Sequence, residues 1–259
     1  YIILFTVISI LYNLILILLT LFYWKLDKLP SLFRVNLNDK KLINNINKFS
    51  VTGWITSTIS VMKNSFDIYI IGIFLDVSAS GIYKFATSIA SFVLKLSIPL
   101  QQAVFPEISK MAAKKQNYKL KKILLDIFGL VGFMILIVNI LSLSFADLTV
   151  GIIGGEKFTA ATIPLILLIF AFSIRSAGFF IRPVLINCIG HMVFLKSILY
   201  PFIIYVPVLL FGVMKYGVIG ACIAHIVFDI LLTIYAIEKI NKYFKIKLSY
   251  ISFSYKKFF

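Results

Sequence analysis

Long apolar runs constrain this chain more than any other feature of its sequence. Seven such stretches occur, at residues 1–24, 49–75, 82–105, 123–146, 159–181, 193–214 and 217–237. A helix rises about 1.5 Å per residue, so roughly 20 apolar residues cross the hydrocarbon core of a bilayer. Lipid cannot hydrogen-bond an exposed backbone, and these runs are too long for barrel strands. The sequence therefore predicts an all-α integral membrane protein with seven transmembrane helices.

Composition excludes several other classes of protein. The chain is 61% apolar with a mean hydropathy of +1.01, and its net charge of +16 lies in the gaps between apolar segments. This pattern differs from the basic face of a soluble nucleic-acid-binding domain, so no nucleic-acid partner is expected. Cys188 and Cys222 have no metal-type spacing and are interpreted as packing residues. No metal or other cofactor is predicted.

Basic residues indicate the orientation of the predicted helices. The segments 25–48, 107–122 and 238–259 each contain six Lys or Arg residues. Over all connections, 21 basic residues fall on one side of the membrane, and only Lys157 and Lys215 fall on the other. Basic connections stay in the cytoplasm. We therefore expect a cell-membrane protein whose C-terminal tail, 238–259, is cytoplasmic.

The N-terminal quarter is expected to contain a domain boundary. The 25–48 connector is polar, and a few apolar residues recur along it, so a short helix lying on the membrane surface is one interpretation. The first stretch has neither a basic start nor a small-residue cleavage site, so it does not resemble a signal peptide. Because the chain begins with Tyr1 inside an apolar run, we expect it to be a fragment.

The second stretch carries two charges near its centre. A central charge costs roughly 2.5–3.5 kcal/mol, and each Ile, Leu, Phe or Val contributes about 0.3–0.6 kcal/mol, so Lys63 and Asp67 nearly cancel the gain from its apolar side chains. Residues at helical spacing form a polar stripe: Thr52, Thr56, Ser60, Lys63 and Asp67. The opposite face, predicted to contact lipid, holds Ile55, Ile59, Met62, Phe66 and Ile70. A spacing of four residues lets Lys63 and Asp67 pair within the helix.

Other predicted helices also carry ionisable residues along one face each. These residues are Lys84 and Lys95 in the third, Arg175 and Arg182 in the fifth, and His225 and Asp229 in the seventh. Intramembrane charges usually mark a substrate or ion path, so we expect them to meet at one cavity. Lys84, Arg175 and Arg182 also have a simpler interpretation, since long cationic side chains reach the membrane surface. Lys63 with Asp67, and His225, also have purely structural interpretations.

Four short motifs carry a family resemblance. They are DIYIIGIFLD at 67–76, GIYKFA at 81–86, FPEIS at 105–109 and GEKFTAA at 155–161. In this order and spacing they resemble the C-terminal half of polysaccharide-biosynthesis flippases of the O-antigen exporter type. These flippases belong to the multidrug/oligosaccharidyl-lipid/polysaccharide exporter superfamily. The resemblance covers about residues 49–237.

The resemblance implies a transporter of two six-helix bundles around an alternating cavity. By that plan, 1–24 is the last helix of an otherwise missing N-terminal bundle and 25–48 is the cytoplasmic linker. The stretch 49–237 is the C-terminal bundle, and 238–259 is a basic tail. The implied activity is flipping of a polyprenyl-diphosphate-linked oligosaccharide from the cytoplasmic to the outer leaflet.

The resemblance also suggests roles for the ionisable residues. The cations expected to bind the anionic diphosphate are Lys63, Lys84, Lys95, Arg175 and Arg182. Asp67, His225 and Asp229 are expected to couple transport to H⁺ or Na⁺. Membrane lipids and the missing bundle are the other expected partners.

Several alternatives remain open from the sequence. A multidrug cation antiporter of the same superfamily would favour acidic residues in its cavity, whereas a peptidoglycan-precursor flippase would also need cations. A membrane-embedded glycosyltransferase or polymerase would need a sizeable outer loop with catalytic residues, and the outer connections are short. The sequence contains no Walker A pattern for ATP. A transporter is therefore predicted rather than an enzyme, and a homo-oligomeric channel is disfavoured by the odd number of spans.

Overall fold

The structure is a computed structural model that describes residues 40–114 and 116–244, together with eight positions between 11 and 22. Most of the expected first span at 1–24, most of the 25–48 connector and the tail after residue 244 lie outside these residues. The chain divides into two compact units, Tyr1–Lys48 and Phe49–Phe259. In the first unit, the described positions between 11 and 22 are helical and exposed. The side-chain contacts described below all lie within the second unit.

Helices account for nearly all of the described chain. They are α1 (Lys40–Phe74), α2 (Val77–Ala113), α3 (Asn117–Gly154), α4 (Thr162–Ala177), α5 (Ile181–Val184) and α6 (His191–Phe244). A 3-10 turn covers Glu156–Ala161, and a π-helical turn covers Leu185–Ile189. The described residues contain no strand. The predicted all-α class is confirmed.

Four helical segments of the described part are long and apolar enough to cross a membrane. They are Val77–Ala113, Val131–Gly154, Glu156–Ile189 and His191–Phe244. Together with the apolar composition, they identify a multi-pass membrane protein. Helix α1 is not among them, because the polar residues predicted to form its stripe lower its hydropathy. The segment His191–Phe244 contains two of the predicted spans.

Helix α6 is two helices joined by a break at Gly217. This residue has φ 60° and ψ −136°, a backbone conformation that side chains with a Cβ rarely adopt. The chain reverses there, so limb 191–216 and limb 218–244 run antiparallel. Tyr200 and Tyr235 contact each other across the two limbs, with ring centroids 5.6 Å apart.

Two further glycines let these limbs approach closely. A Cβ added at Gly212 would lie 2.9 Å from the carbonyl oxygen of Gly220, and a Cβ added at Gly220 would overlap the carbonyl of Gly212. Small residues at helix interfaces allow such close approach in membranes. Tight packing therefore holds the second half of the hairpin, including His225 and Asp229, against its first half.

A capped turn connects α1 to α2. Asp76 has an extended backbone, and its carboxylate accepts a 2.6 Å hydrogen bond from the N–H of Ala79. This is the usual way in which aspartate begins a helix. The hydroxyl of Ser80 donates to the carbonyl of Ile68 at 3.4 Å. The two helices are therefore antiparallel neighbours near the turn.

Two expected boundaries differ from those observed. The basic segment 107–122 was expected to be a connection, but α2 continues to Ala113 and α3 begins at Asn117. Helix α2 has 37 residues and is about 55 Å long, so it is longer than the thickness of a bilayer core, about 30 Å. Helix α1 begins at Lys40, ahead of the expected start at 49.

The predicted fifth helix, 159–181, is interrupted. Helix α4 ends at Ala177, and after it the N–H groups of Phe179 and Ile181 donate to carbonyls only three residues back, those of Ser176 and Gly178. Glycine is a weak helix former, and Pro183 lacks the N–H that would bond to the carbonyl of Phe179. The break lies between Arg175 and Arg182, so these two residues do not belong to one regular helix.

Candidate functional site

The polar stripe of α1 faces the protein interior. Thr52, Thr56, Lys63 and Asp67 are all less than 9% exposed. The hydroxyl of Thr56 donates to the carbonyl of Thr52 at 2.7 Å, which satisfies a polar group that lipid could not. The predicted orientation of these residues is therefore confirmed.

The predicted lipid face of α1 is partly wrong. Ile59 and Ile70 are buried with the polar stripe, at 7% and 8% exposure. The most exposed large side chains in the membrane-length part of the helix are Trp54, Val61, Tyr69 and Ile73. Two of the apolar residues are needed between the polar ones to pack against neighbouring helices, so the inward face is wider than the stripe.

A buried network joins three helices around His225. Nζ of Lys63 lies 2.7 Å from Nδ1 of His225, and Nε2 of His225 lies 2.6 Å from Oδ2 of Asp67. The hydroxyl of Tyr83 donates to the same Oδ2 at 2.7 Å. An ammonium group can only donate, so Nδ1 of His225 accepts and its Nε2–H donates to Asp67. We refer to Lys63, Asp67, Tyr83 and His225 as the His225 network.

This network corrects the predicted pairing of Lys63 with Asp67. The two side chains form no direct ion pair, although they are four residues apart in α1; the imidazole of His225 connects them instead. Nζ of Lys63 also lies 4.8 Å from the ring centroid of Phe228. The opposite charges are thus balanced through a residue that lies 162 positions from Lys63.

One oxygen of the network has no hydrogen-bond partner. Oδ1 of Asp67 is buried, and no described side chain or backbone group bonds to it. The oxygen of a buried carboxylate that lacks a donor is costly and is able to receive a proton or a water molecule. Asp67 therefore accepts two hydrogen bonds at Oδ2 and can still receive a proton or a water molecule at Oδ1.

A second charge pair lies between α4 and the second limb of α6. Nε of Arg175 donates to Oδ1 of Asp229 at 2.8 Å, and Nη2 donates to Oδ2 at 3.1 Å. This is the bidentate geometry that suits guanidinium and carboxylate. Asp229 is only 1% exposed, whereas the Arg175 side chain is 27% exposed. His225 and Asp229, four residues apart, thus bind different partners.

A cavity of about 310 Å³ lies beside both groups of charges. Its ionisable lining residues are Lys63, Arg175, Arg182 and Asp229. Its uncharged polar lining residues are Ser60, Asn64, Ser97, Gln101 and Thr233. Three cations against one carboxylate give the lining a net positive charge. The guanidinium carbon of Arg182 also lies 5.8 Å from the ring centroid of Phe194, which packs its side chain against the wall.

The predicted site residues do not all meet at this cavity. Asp67 and His225 lie in the adjoining network, but Lys84 and Lys95 do not line the cavity. Both lysines are on the exposed face of α2, and Nζ of Lys95 lies 4.5 Å from the ring centroid of Phe92. Apart from Tyr83, the buried face of α2 carries small and apolar residues instead. Only part of the predicted set of ionisable residues therefore lines one shared cavity.

Tyr83 and several polar lining residues of the cavity were not predicted from the sequence. An aromatic residue in an apolar helix is usually a core residue, so Tyr83 gave no separate signal. The sequence does contain one indication of this contact. Asp67 and Tyr83 lie equally far from Leu75, next to the turn at Asp76, so two antiparallel helices joined at that turn bring them to the same level. Asn64, Gln101 and Thr233 lie on three different helices, and only the packing of those helices makes them neighbours.

Comparisons with known proteins agree with this membrane architecture. A family model described as "Polysaccharide biosynthesis protein" matches residues 2–163, a stretch that contains all four sequence motifs. The probable low-salt glycan biosynthesis flippase Agl15 of Haloferax volcanii is 27% identical over 148 residues. The alignment covers 56% of this chain and 30% of Agl15, so the chain spans less than a third of that relative. No solved structure matches the chain significantly.

Proposed function

The chain belongs to the polysaccharide biosynthesis protein family, and from this membership we propose that it forms part of a flippase for a lipid-linked oligosaccharide. The cargo is a polyprenyl-diphosphate-linked oligosaccharide, which moves from the cytoplasmic to the outer leaflet by alternating access. The observation that carries the proposal is the cationic cavity within a bundle of membrane-length helices.

The diphosphate is the part of the cargo that most needs protein contacts. An isolated anion in hydrocarbon is strongly disfavoured, and guanidinium groups bind phosphate with paired hydrogen bonds. Arg182 is exposed at the cavity, and no described carboxylate pairs with it. It is therefore the first residue to meet the headgroup, with Arg175 and Lys63 deeper in the wall.

The remaining parts of the cargo need different surroundings. Sugar hydroxyls are suited to the amides and hydroxyls of Asn64, Gln101 and Thr233. The prenyl chain is as apolar as lipid and can stay in the bilayer. Lys84 and Lys95 face outward on α2, so their proposed headgroup contacts occur where that face meets the N-terminal bundle of the full protein.

The His225 network is the proposed site of ion coupling. Asp67 and His225 can each hold a proton, and Oδ1 of Asp67 has no donor in the described structure. The groups around Asp67 favour a proton over Na⁺, because Tyr83 and His225 both donate hydrogen bonds to it and Lys63 is cationic. A sodium ion needs several oxygen ligands rather than donors. One charge crossing 100 mV releases about 2.3 kcal/mol, enough to bias the cycle.

The topology of the whole protein follows from the same proposal. Residues 49–237 form the C-terminal bundle, 25–48 form a cytoplasmic linker, and 1–24 end an N-terminal bundle that is not in this chain. The protein resides in the cell membrane with the basic tail, 238–259, in the cytoplasm.

Complementation tests the cargo assignment. We expect the full-length gene with Arg182→Ala or Lys63→Ala to restore much less surface glycan than wild type in a flippase-deficient strain. Loss of one charge-assisted contact weakens headgroup binding about 10- to 100-fold. Lys215→Ala is the matched control, because Lys215 is exposed and outside the cavity. Normal glycan at normal protein levels in both cavity variants would contradict the assignment.

The same assay addresses the alternative cargoes. A multidrug cation antiporter is disfavoured by the excess of cations in the cavity, and it would confer drug resistance without restoring glycan. A peptidoglycan precursor also carries a diphosphate, so the cavity suits it as well. Rescue of a strain lacking its peptidoglycan-precursor flippase, without rescue of glycan export, would assign that cargo instead.

A further inference from the structure

The pair of Arg175 and Asp229 lies in the wall of the cavity itself. Both residues line it, and two hydrogen bonds of 2.8 Å and 3.1 Å join them. Arg175 is the deeper of the two cavity arginines and is partly exposed, while its carboxylate partner is almost fully buried. The guanidinium edge most suited to a phosphate is therefore already occupied by a carboxylate from the protein.

We infer that Asp229 is a displaceable ligand of Arg175. It binds Arg175 in the empty cavity, and a phosphate of the cargo replaces it when the cargo binds. The inference rests on the proposed diphosphate cargo. Carboxylate and phosphate both offer two oxygens to the Nε and Nη2 edge of a guanidinium. Two anions held together on one guanidinium would repel each other strongly in surroundings of low dielectric. Exchange of one anion for the other avoids this cost.

Exchange also explains why a membrane cavity can keep an arginine for an anionic cargo. An uncompensated guanidinium in a largely apolar site would be costly during every cycle without cargo. Asp229 balances Arg175 when the cavity is empty, and the phosphate balances it when the cavity is full. Arg182 has no such partner among the described carboxylates, but it is exposed and can remain solvated.

Displacement leaves Asp229 buried without its cation, and this has a measurable consequence. The charged groups near it are Arg175 on α4, which it binds, and Lys63 on α1; His225 lies one turn earlier on its own helix, and Arg182 lines the same cavity. Lys63 is engaged with His225, and His225 with Asp67. A buried carboxylate without a partner is neutralised by taking up a proton. One proton therefore moves from water to Asp229 for each phosphate headgroup bound, and Arg175 stays protonated.

Titration calorimetry of the purified full-length protein in detergent tests the inference. The probe is N-acetylglucosaminyl farnesyl diphosphate, whose diphosphate diester is fully ionised near neutral pH. Titrations at pH 7 in buffers of different ionisation enthalpy give the number of protons taken up. We expect about one proton per probe for wild type and none for Asp229→Asn. Glu238→Gln is the matched control, because Glu238 is exposed on the same helix and outside the cavity.

The affinity of the variants provides a second readout. Asp229→Asn should bind the probe about tenfold more tightly, as expected if Arg175 is free in about one empty molecule in ten. Removal of a negative charge alone would also tighten binding, so proton uptake is the deciding measurement. Binding by wild type without proton uptake, or uptake that persists in Asp229→Asn, would overturn the inference while leaving the cargo assignment intact. Failure of both proteins to bind the probe would contradict the proposed function itself.

Discussion

At the scale of single residues, each buried carboxylate of the site is linked to a cation through a contact between two helices. Asp67 is linked to Lys63 through His225, and Asp229 binds Arg175 directly. Buried charge pairs rarely add much net stability, but removal of one partner leaves an uncompensated charge. The matching therefore makes the arrangement of α1, α4 and α6 specific, since other packings would separate the partners.

The first prediction concerns this matching. Asp67→Leu should lower the free energy of unfolding by about 3–5 kcal/mol, because Lys63 and His225 would be left buried without their carboxylate partner. The double variant Lys63→Met with Asp67→Leu should recover most of that loss. Thermal unfolding of the purified protein in detergent measures both effects.

Glu238→Gln serves as the control for this comparison, and it should change stability by less than about 0.5 kcal/mol. Glu238 is 63% exposed, and its contact with Lys239 is a surface ion pair. If the changes in the free energy of unfolding caused by the substitutions at 63 and 67 were additive, these two residues would not be coupled.

At the scale of elements, breaks in helices position the site as much as the helices themselves do. Gly217 reverses α6 and brings its second limb, with His225 and Asp229, against the first. The turn after Ala177 separates Arg175 from Arg182, yet both reach the cavity. Discontinuous helices are tolerated at membrane depth where they are buried in protein or line a cavity.

The second prediction concerns the α6 hairpin. Gly220→Ala should destabilise the protein by about 1–3 kcal/mol, because its new methyl group would overlap the backbone of Gly212 and force the limbs apart. It should also reduce transport by shifting His225 away from Lys63. Thermal unfolding and the complementation assay measure the two effects.

Gly132→Ala in α3 is the matched control. A Cβ there meets nothing within 4 Å. Alanine is the better helix former by up to about 1 kcal/mol, so stability should be unchanged or increased. If both alanine variants behaved alike, close packing of the two limbs would not be what holds the hairpin.

At the scale of the whole molecule, the proposed orientation in the membrane rests on where the basic residues lie along the sequence. In the proposed orientation, the lysine-rich segment 107–122 lies on the same side as the 238–259 tail. Among the connections, only Lys157 and Lys215 are assigned to the other side. This asymmetry of 21 to 2 predicts that the lysine-rich side is cytoplasmic.

The third prediction is the topology that this charge asymmetry implies. A reporter that is active only in the cytoplasm should be active when it is fused after Phe259 of the full-length protein. A reporter that is active only outside the cytoplasm should be active when it is inserted after Lys157. The reverse pattern, or both reporters on one side, would refute the assigned orientation.

The sequence by itself determined the membrane environment, the helical class and the inward direction of the α1 stripe. These follow from local quantities: the length of apolar runs, the helical period, and the cost of a charge in lipid. They also identified the ionisable residues worth examining, because unneeded charges are rare in such segments. Lys84 and Lys95 met the same criteria, yet the structure does not bring them to the cavity.

Only the tertiary structure decided which charges are partners. Lys63 and Asp67 were expected to pair from their spacing, but His225 lies between them; Arg175 and Asp229 are 54 positions apart and bind directly. Tyr83 joined the site through the α1–α2 turn, and Gly217 decided where the second limb of α6 lies. Contacts between distant residues depend on how helices pack and reverse, and helical periodicity carries no information about the register between two helices.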